Sequence, residues 1–104
     1  MEEMELVCLQ IISNAGEARS ESMEAMRAAR EGQFDEAEAH MKSAGERMRE
    51  AHDVHTKLIT MDAGGSLGGM SLILVHSEDI MMGAEVTANM AQELVEVYRQ
   101  LKAK

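Results

Sequence analysis

The stretch that decides the fold reads AEAHMKSAGERMREAHDVHTKL and covers residues 37–58. Within it, small and mostly apolar residues recur at alternating steps of four and three, and both steps return to the same face of an α-helix. The members of this repeat are Ala37, Met41, Ala44, Met48, Ala51, His55 and Leu58. The regular spacing predicts a long helix whose seam packs along a neighbouring helix, as in a coiled coil.

Similar patterns lie on both sides of this stretch. The preceding one consists of Met4, Val7, Ile11, Ala15, Ala18, Ser22, Ala25 and Ala29. Gly32 follows it, and Gly just past a helical pattern is the usual C-terminal signal. After the central stretch, four of the eight residues 62–69 are Gly, so a helix cannot continue there. A third helical pattern follows, with Ser71 as a candidate N-cap.

The sequence therefore predicts an all-α fold with helices over residues 2–31, 34–61 and 70–102. The chain contains no Pro and is rich in strong helix formers. Short Gly-containing connections make consecutive helices antiparallel, which gives an up-down-up three-helix bundle. A length of 104 residues is typical of one domain, and we expect a single domain over residues 1–104.

Charge and hydropathy exclude several classes of function. The net charge is −9, and no basic cluster is present, which argues against a nucleic-acid partner. No apolar run approaches the roughly 18 residues of a membrane span, so direct membrane insertion is not expected. Because the first five residues, MEEME, are acidic rather than basic, we expect no signal peptide and a soluble, cytoplasmic protein. Cys8 is the only cysteine and is expected to be a small buried hydrophobe.

The third helix carries the candidate site. In a helical projection, His76 lies at the middle of an apolar face that includes Leu72, Met90 and Leu94, and Asp79 falls to one side of it. The apolar arc is roughly 240° wide, which exceeds the stripe that an ordinary surface helix needs. The other two helices of the chain cannot easily cover such an arc, so association with other copies of the chain is predicted.

The residues alone leave the role of this His and Asp open. His76 could be a hydrogen-bonded core histidine, and Asp79 could pair with Arg19 or another cation across the bundle. The two side chains could also be ligands of one metal ion, because positions i and i+3 of a helix share a face. If a symmetry axis brought copies of Asp79 together, a cation on that axis would relieve their repulsion.

The other histidines have simpler interpretations. His52 and His55 have the same i, i+3 spacing, and a metal site is conceivable there. Seam packing and solvent exposure are the preferred explanation for both. His40 is expected to face solvent.

Three separate segments resemble one protein family. Residues 71–82, SLILVHSEDIMM, resemble the active-site helix of lactose/cellobiose-type enzyme IIA components of the sugar phosphotransferase system, with the pattern L-L-V-H-A-[QE]-D-x-L-M. Residues 11–20, IISNAGEARS, are similar to the family's I-I-x-x-[AS]-G-x-A-R-S. Residues 51–59, AHDVHTKLI, are similar to its A-H-x-x-Q-T-x-L-I, with His55 where the family frequently has Gln.

The resemblance implies a phosphoryl carrier. His76 would be the catalytic residue, which accepts phosphate from the histidine phosphocarrier protein, HPr. It would pass the phosphate to a cysteine of the cognate IIB component, and from there to a sugar that enters through the membrane component IIC. The sugar would be a disaccharide of the lactose, cellobiose or chitobiose class.

The resemblance also implies an assembly. The family forms homotrimers, with the phosphorylated histidine in a cleft near a subunit boundary. Asp79 would lie at the threefold axis and hold a divalent cation, expected to be Mg²⁺, in a structural role. The alternatives are a non-catalytic helical oligomerisation module and a metal-binding bundle.

Overall fold

The protein, described over residues 2–104 by a computed structural model, consists of three helices. They are α1 over Glu3–Arg30, α2 over Phe34–Ala63 and α3 over Leu72–Ala103, and no strand occurs in residues 2–104. The predicted all-α fold is confirmed. The predicted helix ends differ from the observed ends by at most two residues, the largest differences being the end of α2 and the start of α3. The single domain predicted over residues 1–104 includes Met1, which lies outside the described residues.

Helix α1 is the centre of the bundle, because it packs along both α2 and α3, while α2 and α3 touch each other much less. A Cβ atom placed on Gly16 would lie 3.9 Å from Ile80, and one on Gly32 would lie 3.6 Å from Lys102. Later residues of α1 are therefore next to later residues of α3. These two helices run parallel, with α2 antiparallel to both, which is the predicted up-down-up order.

The core is built from the predicted faces. Ile11, Cys8 and Met81 are fully buried or nearly so, and they belong to the larger of two core clusters, which also includes Met48 and Leu58. Burial of each large aliphatic side chain contributes about 1.5–3 kcal/mol. A second cluster near the other end of the bundle is built mainly from alanines, with Val95 and the half-buried aromatic rings of Phe34 and Tyr98. Small residues let the helices approach closely at that end.

Both connections begin with the same helix-ending motif. After α1, the amide of Gln33 donates to the carbonyl of Ala28 (2.9 Å) and that of Gly32 donates to Ala29 (3.0 Å). This is the Schellman motif, which requires a left-handed residue, and Gly32 has φ +81°. After α2, Ser66 and Gly65 form the corresponding bonds at 2.8 and 3.0 Å. Gly residues therefore fix where α1 and α2 end.

One long face of α3 is not covered by the rest of the subunit. It is apolar and exposed, and Leu72 at its start is 85% exposed. The face includes Leu72, Val75, Met82, Val86, Met90, Leu94, Val97 and Leu101. A contiguous exposed apolar face of this kind marks an interaction surface. Within residues 2–104, none of the helices is long and apolar enough to span a lipid bilayer.

Candidate functional site

The local structure of α3 fixes the position of His76. Ser71 caps the helix, since its side-chain oxygen accepts a hydrogen bond from the Leu74 amide (3.3 Å). Leu74 and Ser77 turn into the core, and the Ser77 hydroxyl donates to the Leu74 carbonyl (2.8 Å). His76 lies between these two buried positions on the opposite side of the helix, so its imidazole is exposed. It is therefore not a core histidine of its own subunit.

Asp79 follows His76 by one helical turn and is also exposed. The two residues line a single groove of about 390 Å³ between α1 and α3. Its other lining residues are Arg19, Ile80, Gly83 and Thr87. No side chain fills the space in front of Gly83, where an added Cβ would meet nothing within 4 Å. The groove is therefore open where another molecule or another copy of the chain could approach.

His76, Asp79 and Arg19 line the same groove but do not pair with one another. Within residues 2–104, no hydrogen bond or ion pair joins His76 to Asp79, and none joins Asp79 to Arg19. The intramolecular Asp79–Arg19 pair that the sequence allowed is therefore not formed. The imidazole, the carboxylate and the guanidinium all remain available to a ligand.

The other three histidines behave differently, because each lies next to a glutamate. His40 Nδ1 is 2.7 Å from Glu21 Oε2. The prediction that His40 faces solvent is wrong, because its side chain is half-buried. The remaining two pairs are His55–Glu78 at 2.7 Å and His52–Glu85 at 3.6 Å. His76 is thus the one histidine of the described chain without a carboxylate partner. The heptad pattern found the buried faces, but it contained no signal for these interhelical pairs.

One subunit does not offer a complete metal site. Residues 2–104 contain no group of three or more His, Cys, Asp and Glu side chains close enough to hold a metal ion. Asp79 supplies one carboxylate, whereas oxygen-coordinated divalent cations take about six ligands. The same finding gives no support to a metal site at His52 and His55. A cation at Asp79 would need carboxylates from further copies of the chain or several waters.

The fold and the groove define a three-helix protein with one unpaired, exposed histidine on its last helix. The chain matches the family model described as "PTS system, Lactose/Cellobiose specific IIA subunit" over residues 6–99. The chain belongs to this family of phosphotransferase-system IIA components, and the resemblance seen in the three sequence segments is confirmed.

Relatives and solved structures agree over nearly the whole length. The lichenan-specific phosphotransferase enzyme IIA component of Bacillus subtilis (strain 168) is 40% identical over 100 residues, which span 96% of this chain and 91% of that protein. The crystal structure of the PTS cellobiose-specific enzyme IIA from Bacillus anthracis has a TM-score of 0.94 at 38% identity, covering 100% of this chain and 95% of that one. A solution structure of the IIA(Chitobiose)-HPr complex from Escherichia coli has a TM-score of 0.82 at 39% identity, covering 98% and 99%.

Proposed function

We propose that His76 is the phosphoryl acceptor of a sugar phosphotransferase system. The observation that carries this proposal is that His76 alone among the four histidines forms no pair with a carboxylate, while it is exposed and lines an open groove. A nucleophilic imidazole needs a free ring nitrogen and access for the donor. The cap at Ser71 and the buried Leu74 and Ser77 hold the turn that presents this nitrogen.

In the first step, the lone pair of a His76 ring nitrogen attacks the phosphorus of phosphorylated HPr. The new N–P bond forms as the donor's N–P bond breaks, and that electron pair returns to the donor nitrogen. The donor leaves as a neutral imidazole, because its other ring nitrogen carries the proton. Catalysis of such a transfer consists mainly of positioning and charge stabilisation. HPr as the donor is supported by the related IIA protein whose complex with HPr has been solved.

In the second step, a cysteine thiolate of the cognate IIB component attacks the same phosphorus. An S–P bond forms, the N–P bond to His76 breaks, and His76 leaves as a neutral imidazole with its other nitrogen protonated. This chain cannot supply that cysteine, since Cys8 is its only one and is 0% exposed. The phosphate then passes to a disaccharide of the lactose, cellobiose or chitobiose class that enters through IIC.

We further propose that the subunits form a homotrimer. The support is the long exposed apolar face of α3, on which Val86 and Met90 are more than half exposed in the isolated subunit. Burying such a face between copies removes apolar surface from water. Asp79 would then lie at the threefold axis, where three carboxylates supply the ligands that one subunit lacks. These oxygens suit a divalent cation such as Mg²⁺ in a structural role.

Phosphorylation with purified components tests the carrier function. The protein is incubated with phosphoenolpyruvate, enzyme I and HPr, and an acid-labile phosphate is expected on wild type and not on His76→Ala. His52→Ala is the matched control, because it removes another exposed histidine and should be labelled normally. Labelling also separates the carrier from a non-catalytic oligomerisation module or a metal-binding bundle, neither of which takes up phosphate. Unlabelled wild type alongside active partners would refute the carrier function.

A further inference from the structure

Arg19 is a basic residue with no function assigned in the mechanism above. It lies exposed on α1 and lines the groove that contains His76. Three other arginines of residues 2–104, Arg27, Arg47 and Arg99, form ion pairs with glutamates, whereas no carboxylate lies within 4.0 Å of Arg19. It is the only Lys or Arg among the described residues that line this groove.

The parallel arrangement of α1 and α3 sets the level of Arg19 along the groove. Gly16 is opposite Ile80, so Arg19, nearly one turn later on α1, is level with Gly83 on α3. Side chains of a helix lean toward its N-terminus. Along α1 this lean points from the level of Gly83 toward the level of Asp79 and His76, and the Arg19 side chain is long enough to span much of that part of the groove.

A phosphoryl group on His76 creates a need for such a cation. It brings a charge of about −2 into the groove one turn from the Asp79 carboxylate. Two negative groups at this spacing repel each other. The other polar group of the lining is Thr87, whose hydroxyl already donates to the Gly83 carbonyl (2.8 Å). The guanidinium, with its fork of N–H donors, matches phosphate oxygens in geometry and charge.

We propose that Arg19 binds the phosphoryl group as it arrives on His76 and while it remains there. This inference rests on the proposed carrier function of His76. The competing role for Arg19 is an ion pair with Asp79 of another subunit, which would serve assembly. The two roles differ in what the loss of the guanidinium changes: the phosphoryl-binding role predicts slower transfer by an intact trimer, and the assembly role predicts a smaller particle.

The test compares Arg19→Gln, Arg19→Lys and wild type. The control is Arg30→Gln, an exposed arginine of the same helix about 16 Å further along the axis. Phosphorylated HPr is mixed with each protein, the rate of phosphate transfer is measured by rapid quench, and the mass is measured by light scattering. Arg19→Gln is expected to slow transfer by at least roughly tenfold, the order expected for a charge-assisted hydrogen bond. Arg19→Lys keeps the charge without the fork and should be intermediate, while Arg30→Gln should stay within about twofold of wild type.

Each result has one meaning. A slowed Arg19→Gln with unchanged mass supports phosphoryl binding by Arg19. Transfer at the wild-type rate, or a reduced mass or helical content in either Arg19 variant, would overturn it. If wild type itself takes up no phosphate from active HPr, the carrier function of His76 is refuted. If wild type is phosphorylated and Arg19→Gln is phosphorylated equally fast, only the role of Arg19 is refuted.

Discussion

His55 on α2 and Glu78 on α3 form a hydrogen-bonded pair, with the His55 Nε2 2.7 Å from the Glu78 Oε1. The two helices contact each other much less than either contacts α1, so this pair is one of the few side-chain links between them. Glu78 follows His76 by two residues. The pair therefore ties α2 to the turn of α3 that presents the candidate nucleophile, on the side away from the groove.

The His55–Glu78 pair should contribute little to stability. His55 is 20% exposed but Glu78 is 46% exposed, and a partly solvated pair is worth about 0.5 kcal/mol. A double-mutant cycle with His55→Leu and Glu78→Ala, followed by urea unfolding at fixed protein concentration, should give a coupling energy of this size. His55→Gln keeps a donor and should be as stable as wild type. Fully additive single variants would show that the pair contributes nothing.

Ile11 should be one of the most sensitive core positions. It is fully buried in the larger core cluster, so Ile11→Ala removes apolar contacts and leaves a cavity. The free energy of unfolding should fall by about 2–5 kcal/mol, measured by urea unfolding at fixed protein concentration. Ile59→Ala is the matched control, because Ile59 is 56% exposed and the same change should cost under about 0.5 kcal/mol. Equal losses for the two variants would contradict the assignment of the core.

The cap at Ser71 should stabilise the start of α3. Its side-chain oxygen accepts from the Leu74 amide, and Ser71→Ala should lower the free energy of unfolding by about 1 kcal/mol. Ser71→Asp retains an acceptor and should restore the loss. Amide hydrogen exchange over residues 72–77 measures the same effect locally, with faster exchange expected in Ser71→Ala alone. Unchanged exchange in that variant would show that the cap is not needed to hold the turn of His76.

Much of the fold was predictable from the spacing of small and apolar residues. The repeat in α2 and the pattern in α1 correspond to buried faces, since Ala37, Ala44 and Ala51 are all fully buried. Gly32 and the Gly-rich segment predicted where helices end because only Gly adopts the left-handed conformation at low cost. The exact end of α2 was not predictable, since the last turn of a helix shifts by one or two residues with local hydrogen bonding that the sequence pattern does not specify.

The site was predictable in part. The segment around His76 pointed to the family, but periodicity alone could not separate an exposed histidine from a core one. The glutamate partners of His40, His52 and His55 depend on how helices are rotated against each other, and a single sequence does not contain that rotation. The placement of Arg19 in the same groove as His76 depends on the register between α1 and α3, which is likewise set by packing.

Charge on the exposed face of α3 should prevent assembly. Val86 is 58% exposed in the subunit and lies seven residues after Asp79, on the same side of the helix. In a trimer, Val86→Glu would place three carboxylates in an apolar contact, where unpaired charge is costly. Light scattering at micromolar concentration should give a trimer for wild type and a monomer for Val86→Glu. Ile59→Glu, an equally exposed residue on α2, should leave the trimer intact, and a monomeric wild type would contradict the assembly.

Without the Asp79 carboxylate, the stability of the trimer should no longer depend on a divalent cation. If three Asp79 side chains meet at the axis, removal of the divalent cation by a chelator should lower the free energy of unfolding of wild type. The expected loss is about 2.7 kcal/mol when the cation was present at about 100 times its Kd. Asp79→Leu places apolar side chains at the axis, and these need no counter-charge. This variant should therefore stay trimeric, and the chelator should not change its stability. Thermal unfolding with and without chelator, combined with light scattering, measures both effects. Chelator sensitivity that persists in Asp79→Leu would place the cation elsewhere, and dissociation of this variant would mean that the carboxylate itself holds the subunits together.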